Sequence, residues 1–147
     1  MKKMFTLRGV SECGKSTKVK AIAQWIINNY PHAINHGIDL TKRDISGVLE
    51  INKLKIGLIS AGDDLPCVLG NERVLNNYPG MDILVNTCRT KGITRRYLEK
   101  NYNFSSGWLV KNIFVQKFNP ANSLKESSRD NLILDELKCW LTGLEKL

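Results

Sequence analysis

The sequence has little of what marks several classes of protein. Four cysteines and two histidines occur among 147 residues, and 7% of the residues are aromatic. No two cysteines form a CxxC pair, so the sequence predicts neither a zinc site nor a disulfide framework, and reduced thiols favour a cytoplasmic protein. No apolar run approaches the roughly 18 residues that a membrane-spanning helix needs, so we expect no membrane partner.

The overall composition is that of a globular domain with an excess of positive charge. Apolar residues make up 42% of the chain and charged residues 24%, which is ordinary for a folded protein. At roughly 100–200 residues per domain, the length predicts a single domain over residues 1–147. Lys and Arg number 22 against 14 Asp and Glu, so the net charge is +8. The sequence alone leaves any protein partner unknown.

Predicted strands and helices alternate along the chain. The predicted strands are residues 3–8, 33–38, 45–51, 56–60, 81–87 and 109–118. The predicted helices are residues 16–30, 71–78, 94–102 and the stretch from residue 122 onward. Asn52-Lys53 separates two apolar runs and predicts an antiparallel hairpin near residues 45–60. This alternation predicts an α/β fold, with helices on both faces of a mostly parallel sheet.

One glycine-containing loop carries the strongest chemical signal. Residues 9–17 match G-x-x-x-x-G-K-[ST] at every fixed position, between a predicted strand and a predicted helix. Backbone N–H groups of such a loop and the positive end of the helix dipole can hold a polyphosphate. The residues predicted to bind the nucleotide are Gly9, Val10, Ser11, Glu12, Cys13, Gly14, Lys15, Ser16 and Thr17.

This segment resembles the Walker A motif of the P-loop NTPase superfamily. Within it, the chain is similar to small predicted ATP-binding proteins and to nucleotide-kinase-like members. The resemblance implies a P-loop-type three-layer sandwich, a nucleoside triphosphate, Mg²⁺ and phosphoryl chemistry. It implies that Lys15 stabilises the β- and γ-phosphates as a catalytic residue and that the Ser16 hydroxyl is a ligand of Mg²⁺. Without an NKxD sequence, which would indicate guanine, ATP is favoured over GTP.

The superfamily also has an acidic residue after a second strand, and several carboxylates compete for that role. Asp63 follows the run of residues 56–62 and is the predicted metal-binding acid, although three small residues separate it from the apolar run. Its neighbour Asp64 and the earlier Asp44 are alternatives, and Asp64 is also a candidate helix cap. Asp39 follows a strand where similar kinases place an acid beside the acceptor hydroxyl, so it is predicted to be catalytic.

A basic cluster follows the predicted strand at residues 81–87. Arg89 is predicted to contact the nucleotide, and Arg95 and Arg96 are predicted to clamp phosphate as catalytic residues, because an arginine can bind two phosphate oxygens at once. A longer basic strip over residues 87–117 contains interleaved aromatic side chains, which is one way to bind nucleic acid. A solvated basic turn and buried aromatic residues explain the same pattern.

Three functions are compatible with these residues. The first is a kinase-like phosphotransferase that uses Mg·ATP and a nucleotide, another small molecule or a nucleic acid as the acceptor. The second is an NTPase that hydrolyses ATP or GTP and acts as a switch on a partner, which the strand pair ending in Ala61–Asp64 favours. The third is a non-catalytic module that binds a nucleotide or nucleic acid.

Overall fold

A computed structural model describes residues 2–10 and 13–141 of the chain. Its strands are β1 (Lys2–Arg8), β2 (Ile34–His36), β3 (Ser46–Ile51), β4 (Leu54–Ile59), β5 (Ile83–Cys88) and β6 (Trp108–Phe114). Its α-helices are α1 (Lys15–Asn29), α2 (Leu65–Asn77), α3 (Ile93–Asn101) and α4 (Ser123–Leu141). The alternation of strands and helices predicted from the sequence is confirmed.

The strands form one mixed sheet in the order β2-β3-β4-β5-β1-β6. β1 pairs in parallel with both β5 and β6, and β4 pairs in parallel with β5. β3 is antiparallel to β2 and β4. The antiparallel hairpin near residues 45–60 is therefore confirmed. Its turn residues Asn52 and Lys53 both have positive φ, the conformation of a two-residue turn that matches the twist of paired strands.

Helices cover both faces of the sheet, as a three-layer arrangement requires. α1 and α4 pack against one face around a core that includes Phe5, Ile22 and Leu137. α2 and α3 pack against the other face around a second core that includes Met4, Leu84 and Leu98. β5 is buried along its whole length, as expected of a strand covered on both faces. No helix within the described residues is long and apolar enough to cross a membrane.

α2 begins six residues before the start predicted at residue 71. Pro66 and Gly70 were expected to keep the preceding residues out of a helix. Pro66 instead occupies the first turn, where its missing N–H has no helical partner to lose, and the Asp64 side chain caps the helix by accepting from Cys67 N at 2.9 Å. The helix then continues through Gly70, which it tolerates at some cost in stability.

Candidate functional site

The sheet topology brings four chain segments to one edge. β4, β5 and β1 are adjacent and parallel, so their carboxyl ends lie side by side. Residues 9, 10, 13 and 14 of the loop follow β1, residues 60–64 follow β4, and residues 89–92 follow β5. Because β3 is antiparallel to β4, the segment before β3 reaches the same edge and brings Asp44 with it. In open α/β sheets, ligands bind at such an edge.

Both fixed glycines of the loop are required by its geometry. Gly14 has φ of 96° at the start of α1, a conformation that side chains disfavour. A Cβ on Gly9 would lie 2.5 Å from Cys13 Sγ and 2.8 Å from the Val115 carbonyl oxygen. Cys13, a residue of the same loop, is buried. Two of the residues predicted to bind nucleotide, Ser11 and Glu12, lie outside the described residues.

The Lys15 ammonium group lies at the centre of the site. Its Nζ donates to the carbonyl oxygens of Gly9 at 2.6 Å and Val10 at 2.9 Å, and it pairs with Asp63 Oδ1 at 3.0 Å. Only 5% of the Lys15 side chain is exposed, whereas 48% of the Asp63 side chain is. The structure therefore brings together the predicted phosphate-binding lysine and the predicted acid. An anion entering the loop would compete with Asp63 and the two carbonyl groups for this ammonium.

Four oxygen atoms cluster beside Lys15 around Ser16. Ser16 Oγ lies 3.2 Å from Asp44 Oδ1 and 3.1 Å from the Ser60 carbonyl oxygen. Ser60 Oγ donates to the same Asp44 oxygen at 3.0 Å. The predicted metal-binding hydroxyl thus contacts Asp44, one of the alternative acids predicted from the sequence, whereas Asp63 contacts Lys15.

Close contact with β5 explains why the residues between β4 and Asp63 are small. A Cβ on Gly62 would overlap the carbonyl oxygen of Thr87 at the end of β5, so only glycine allows this close approach. The Thr87 hydroxyl also donates to the Ser60 carbonyl oxygen at 2.8 Å. These contacts hold residues 60–63 against β5, and that position lets Asp63 reach Lys15.

A cationic cleft of about 410 Å³ lies over the N-terminus of α1. It is lined by Gly14, Lys15, Ser16, Thr17, Lys20, Arg43 and Asp63. Lys20 and Arg43 were not among the predicted site residues. Arg43 belongs to a polar turn before β3, and only the hairpin topology brings that turn to the loop. Lys20 donates to the carbonyl oxygen of Lys42 at 2.7 Å, which ties the turn to α1.

The three arginines predicted to contact phosphate have different positions. Arg89 reaches the site, because its Nε donates to the Asp63 carbonyl oxygen at 3.0 Å. Arg95 is held elsewhere by an ion pair with Glu99 at 2.9 Å, and Arg8 pairs with the same carboxylate at 3.1 Å. These contacts, with that of Arg95 the largest, lower the pKa of Glu99. Arg96 is exposed, and neither it nor Arg95 lines the cationic cleft.

Two further carboxylates that the sequence singled out serve local structure. Asp39 lies in an exposed turn and accepts from the hydroxyl of Thr41 at 2.6 Å and from its N–H at 3.0 Å, which lowers the pKa of Asp39. It does not line the cationic cleft. Asp64 caps α2, and its contacts with Cys67 lower the pKa of Asp64. The side-chain hydrogen bond with Asp64, followed by partial burial, raises the pKa of Cys67 to about 11.

α4 supplies charged residues to the underside of the loop that the sequence analysis did not identify. The buried Lys18 ammonium pairs with Asp130 at 2.7 Å. A Cβ on Gly14 would lie 3.5 Å from an Arg129 nitrogen, so α4 approaches the loop closely. The Arg129 guanidinium also lies 5.7 Å from the centre of the Phe118 ring. A contact between residues so far apart in sequence leaves no local pattern to detect.

The basic strip of residues 87–117 does not present all of its aromatic side chains. Tyr102 and Trp108 are buried and pack against each other in a T-shaped arrangement with ring centres 5.4 Å apart. Lys111 pairs with Glu136 at 3.2 Å. Phe104 and Phe114 are exposed aromatic residues of this segment, with 73% and 60% of their surfaces accessible. The two buried rings therefore cannot stack with nucleic-acid bases, and continuous stacking along the whole strip is excluded.

The residues around Ser16 fit a magnesium ion that a bound phosphate would share. In residues 2–10 and 13–141, no group of three or more His, Cys, Asp or Glu is placed to hold a metal ion. Magnesium in phosphate sites needs fewer protein ligands, because it keeps several waters and uses one or two carboxylates with the phosphate oxygens. The Ser16 hydroxyl and the Asp44 carboxylate, 3.2 Å apart, offer such oxygen ligands.

Comparison with known proteins identifies no family. No family model matches the chain, and neither the curated proteins nor the solved structures contain a significant match. The resemblance of residues 9–17 to the Walker A motif therefore stays a prediction, and any function has to be argued from the site itself.

Proposed function

We propose that the chain binds Mg·ATP at the loop of residues 9–17 and transfers the γ-phosphoryl group to an acceptor. The cationic cleft over α1 is the observation that carries this proposal. Among the described residues, Lys15, Lys20 and Arg43 line it together with one carboxylate, Asp63. A triphosphate carries several negative charges, and the N-terminus of α1 adds the positive end of its dipole to the same cleft.

Lys15 has the central part in this proposal. Its ammonium now binds two loop carbonyl groups and Asp63, and we expect phosphate oxygens to replace some of these partners. The bound ammonium then stabilises the charge that develops on the transferred group. Arg89 donates to the Asp63 carbonyl oxygen and is proposed to contact phosphate from there, although it does not line the cleft. Arg95 would act only after it leaves Glu99, and the exposed Arg96 would have to turn towards the cleft.

Ser16 and Asp44 are the residues proposed to hold Mg²⁺, with Asp63 as the second carboxylate. When bound, the ion neutralises part of the negative charge on the β- and γ-phosphate oxygens. Asp63 becomes available to the ion once Lys15 turns to the phosphates. Because the chain lacks NKxD, adenine is the proposed base, and the four free cysteines suit the reducing cytoplasm.

The test is transfer of label from [γ-³²P]ATP in the presence of Mg²⁺ to a panel of nucleosides, nucleotides and 5′-hydroxyl oligonucleotides. We expect labelled product from the wild type and none from Lys15→Ala. Lys100→Ala, which removes an exposed lysine at the far end of α3, is the matched control and should retain wild-type transfer. Release of labelled inorganic phosphate alone, with no labelled acceptor, would contradict the transfer reaction.

A nucleotide-dependent switch is a second candidate, and the Lys15–Asp63 ion pair favours it. This contact links the loop to the segment that follows the β3–β4 hairpin. A phosphate that takes Lys15 would release Asp63 and the segment of residues 60–64. Different hydrogen-exchange rates at β4 and residues 60–64 with an ATP analogue and with ADP would support the switch, and equal rates would remove it. Binding of ATP without any turnover would leave the third function, a binding module.

A further inference from the structure

A groove of about 610 Å³ separates α2 from β2 and the start of β3. It is not part of the cationic cleft, and the proposed reaction has so far given it no role. Its volume lies in the range of pockets that bind small organic ligands. The groove shares Asp44, Ala61 and Cys67 with the recess that contains Lys15 and Ser16, so the two spaces adjoin. A molecule in the groove would have one end beside the proposed phosphoryl donor.

Gly70 keeps this groove open. It lies in the middle of α2, where glycine is unfavourable, and it lines the groove with Cys67, Arg73 and Val74. A Cβ at this position would meet nothing within 4 Å. Neither close packing nor a positive φ requires a glycine there, in contrast to Gly14 and Gly62. The missing side chain adds space to the groove.

The charges at the two parts of the groove differ and select the ligand. Asp44 and Asp64 line the end next to Lys15. Because the proposed function assigns Asp44 to Mg²⁺, it is Asp64 that accepts a hydrogen bond from a hydroxyl group and repels a second phosphate. Among the described residues that line the groove, Arg73 is the one arginine or lysine. It lies about 13 Å along the helix axis from Asp64. The arrangement suits a hydroxyl group at one end and hydrogen-bond acceptors towards the other.

The groove is bounded by two rings near the end of α2. Tyr78 and His36 lie with their ring centres 5.4 Å apart, and both residues are partly exposed. His36 Nε2 lies 3.0 Å from Glu50 Oε2, and the His36 and Tyr78 rings are tilted by 47° to each other. Apolar side chains such as Ile59 and Val74 form the walls. Aromatic rings of this kind bind planar heterocycles by stacking.

We infer that this groove binds the phosphoryl acceptor and that the acceptor is a nucleoside. The inference rests on the proposed function. The ring of the nucleoside lies towards Tyr78 and Arg73, and its sugar hydroxyl lies between Asp64 and the donor. The hydroxyl oxygen forms a bond to the γ-phosphorus of ATP, while the bond from that phosphorus to the β–γ bridging oxygen breaks. ADP leaves with the electron pair. The hydroxyl proton passes to the Asp64 carboxylate, whose Oδ1 also caps α2 by accepting from Cys67 N, and then to water.

The experiment compares Gly70→Leu, which fills the groove, with Asn76→Leu, which adds the same side chain to an exposed position of α2 outside it. Adenosine, cytidine, guanosine, thymidine and uridine are tested as acceptors with labelled Mg·ATP, and D-ribose provides hydroxyls without a ring. We expect at least one nucleoside to be labelled with a kcat/KM at least 100-fold above ribose. Gly70→Leu should lower this value at least tenfold, and Asn76→Leu should stay within twofold.

Binding measurements separate this inference from the proposed function. The Kd of a non-hydrolysable ATP analogue should be equal within twofold in the wild type and Gly70→Leu. Nucleoside binding is followed by ligand-detected NMR without ATP, so it can succeed even if ATP does not bind. Should Gly70→Leu fail to fold, Gly70→Ala is expected to reduce nucleoside affinity at least threefold. ATP binding with no labelling of any nucleoside, or equal effects of the two leucine variants, would overturn the groove as the acceptor site.

Discussion

Replacing Gly62 by alanine tests the contact that places the acid next to the loop. The added Cβ would overlap the carbonyl oxygen of Thr87, which belongs to the backbone of β5 and cannot rotate away. The segment of residues 60–63 must therefore move away from β5. This movement breaks the hydrogen bond from the Thr87 hydroxyl to Ser60, now 2.8 Å, and lengthens the Lys15–Asp63 pair, now 3.0 Å.

The expected loss of stability follows from the cost of adding a methyl group where no space exists. Overpacking of this kind costs about 1–3 kcal/mol in the free energy of unfolding. In a chain of about this length, each kcal/mol lowers Tm by about 2–4 °C. Urea denaturation and thermal melting measure both quantities. Binding of Mg·ATP should weaken at the same time, because Asp63 and Ser60 no longer hold their positions beside Lys15 and Ser16.

Gly70→Ala is the matched control for this substitution. The same methyl group meets nothing within 4 Å at residue 70, and α2 gains from replacing its internal glycine. We expect it to stabilise the protein by about 0.5–1 kcal/mol. A Gly62→Ala variant as stable as the wild type and with unchanged nucleotide affinity would refute the steric argument. Equal destabilisation by both substitutions would refute it as well.

Three other predictions concern charged and reactive groups away from the loop itself. Asp130→Ala leaves the buried Lys18 ammonium without its carboxylate, so we expect the free energy of unfolding to fall by about 3 kcal/mol in urea denaturation. The double variant Lys18→Met with Asp130→Leu should lower it by less, because no unpaired charge is left buried. The pKa of the Cys67 thiol is raised to about 11, so Cys67 should react with iodoacetamide more slowly at pH 8 than exposed Cys139. Asp64→Asn should speed the reaction at Cys67, and an unchanged rate would contradict Asp64 as the cause of the raised pKa. The Glu99 carboxylate stabilises the fold at any pH above its ordinary pKa of 4.5, and this stabilisation is lost as the pH falls through the lowered pKa of the folded state. Glu99→Gln should therefore reduce Tm at pH 7 and leave it unchanged in strong acid.

Much of the fold could be predicted because the relevant signals are local. Val19, Ile22 and Ile26 recur at helical spacing and are all buried on one side of α1. The Asn52-Lys53 turn lies between two strands that pair as predicted. The predicted start of α2 was wrong, because Pro66 and Gly70 suggest a break in the helix. The cap provided by Asp64 stabilises the first turn despite both residues.

The site was less predictable because it depends on contacts between distant segments. The motif at residues 9–17 identified Lys15 and Ser16. No local pattern showed that Asp44, rather than Asp63, forms the contact with Ser16. The order of the strands decides that placement, since the β3–β4 hairpin brings the preceding turn to the loop. Arg43 reaches the cleft by the same route. The groove beside α2 was missed because a single glycine has no specific meaning in sequence.

The most direct test of the central claim is the effect of Mg·ATP on the melting of the wild type and Lys15→Ala. A ligand at a hundredfold its Kd adds about 2.7 kcal/mol to the free energy of unfolding. For a chain of about this length, that corresponds to an increase in Tm of about 5–11 °C. We expect this increase in the wild type and its loss in Lys15→Ala. Identical melting of the wild type with and without Mg·ATP, up to millimolar nucleotide, would contradict the claim that residues 9–17 bind a triphosphate.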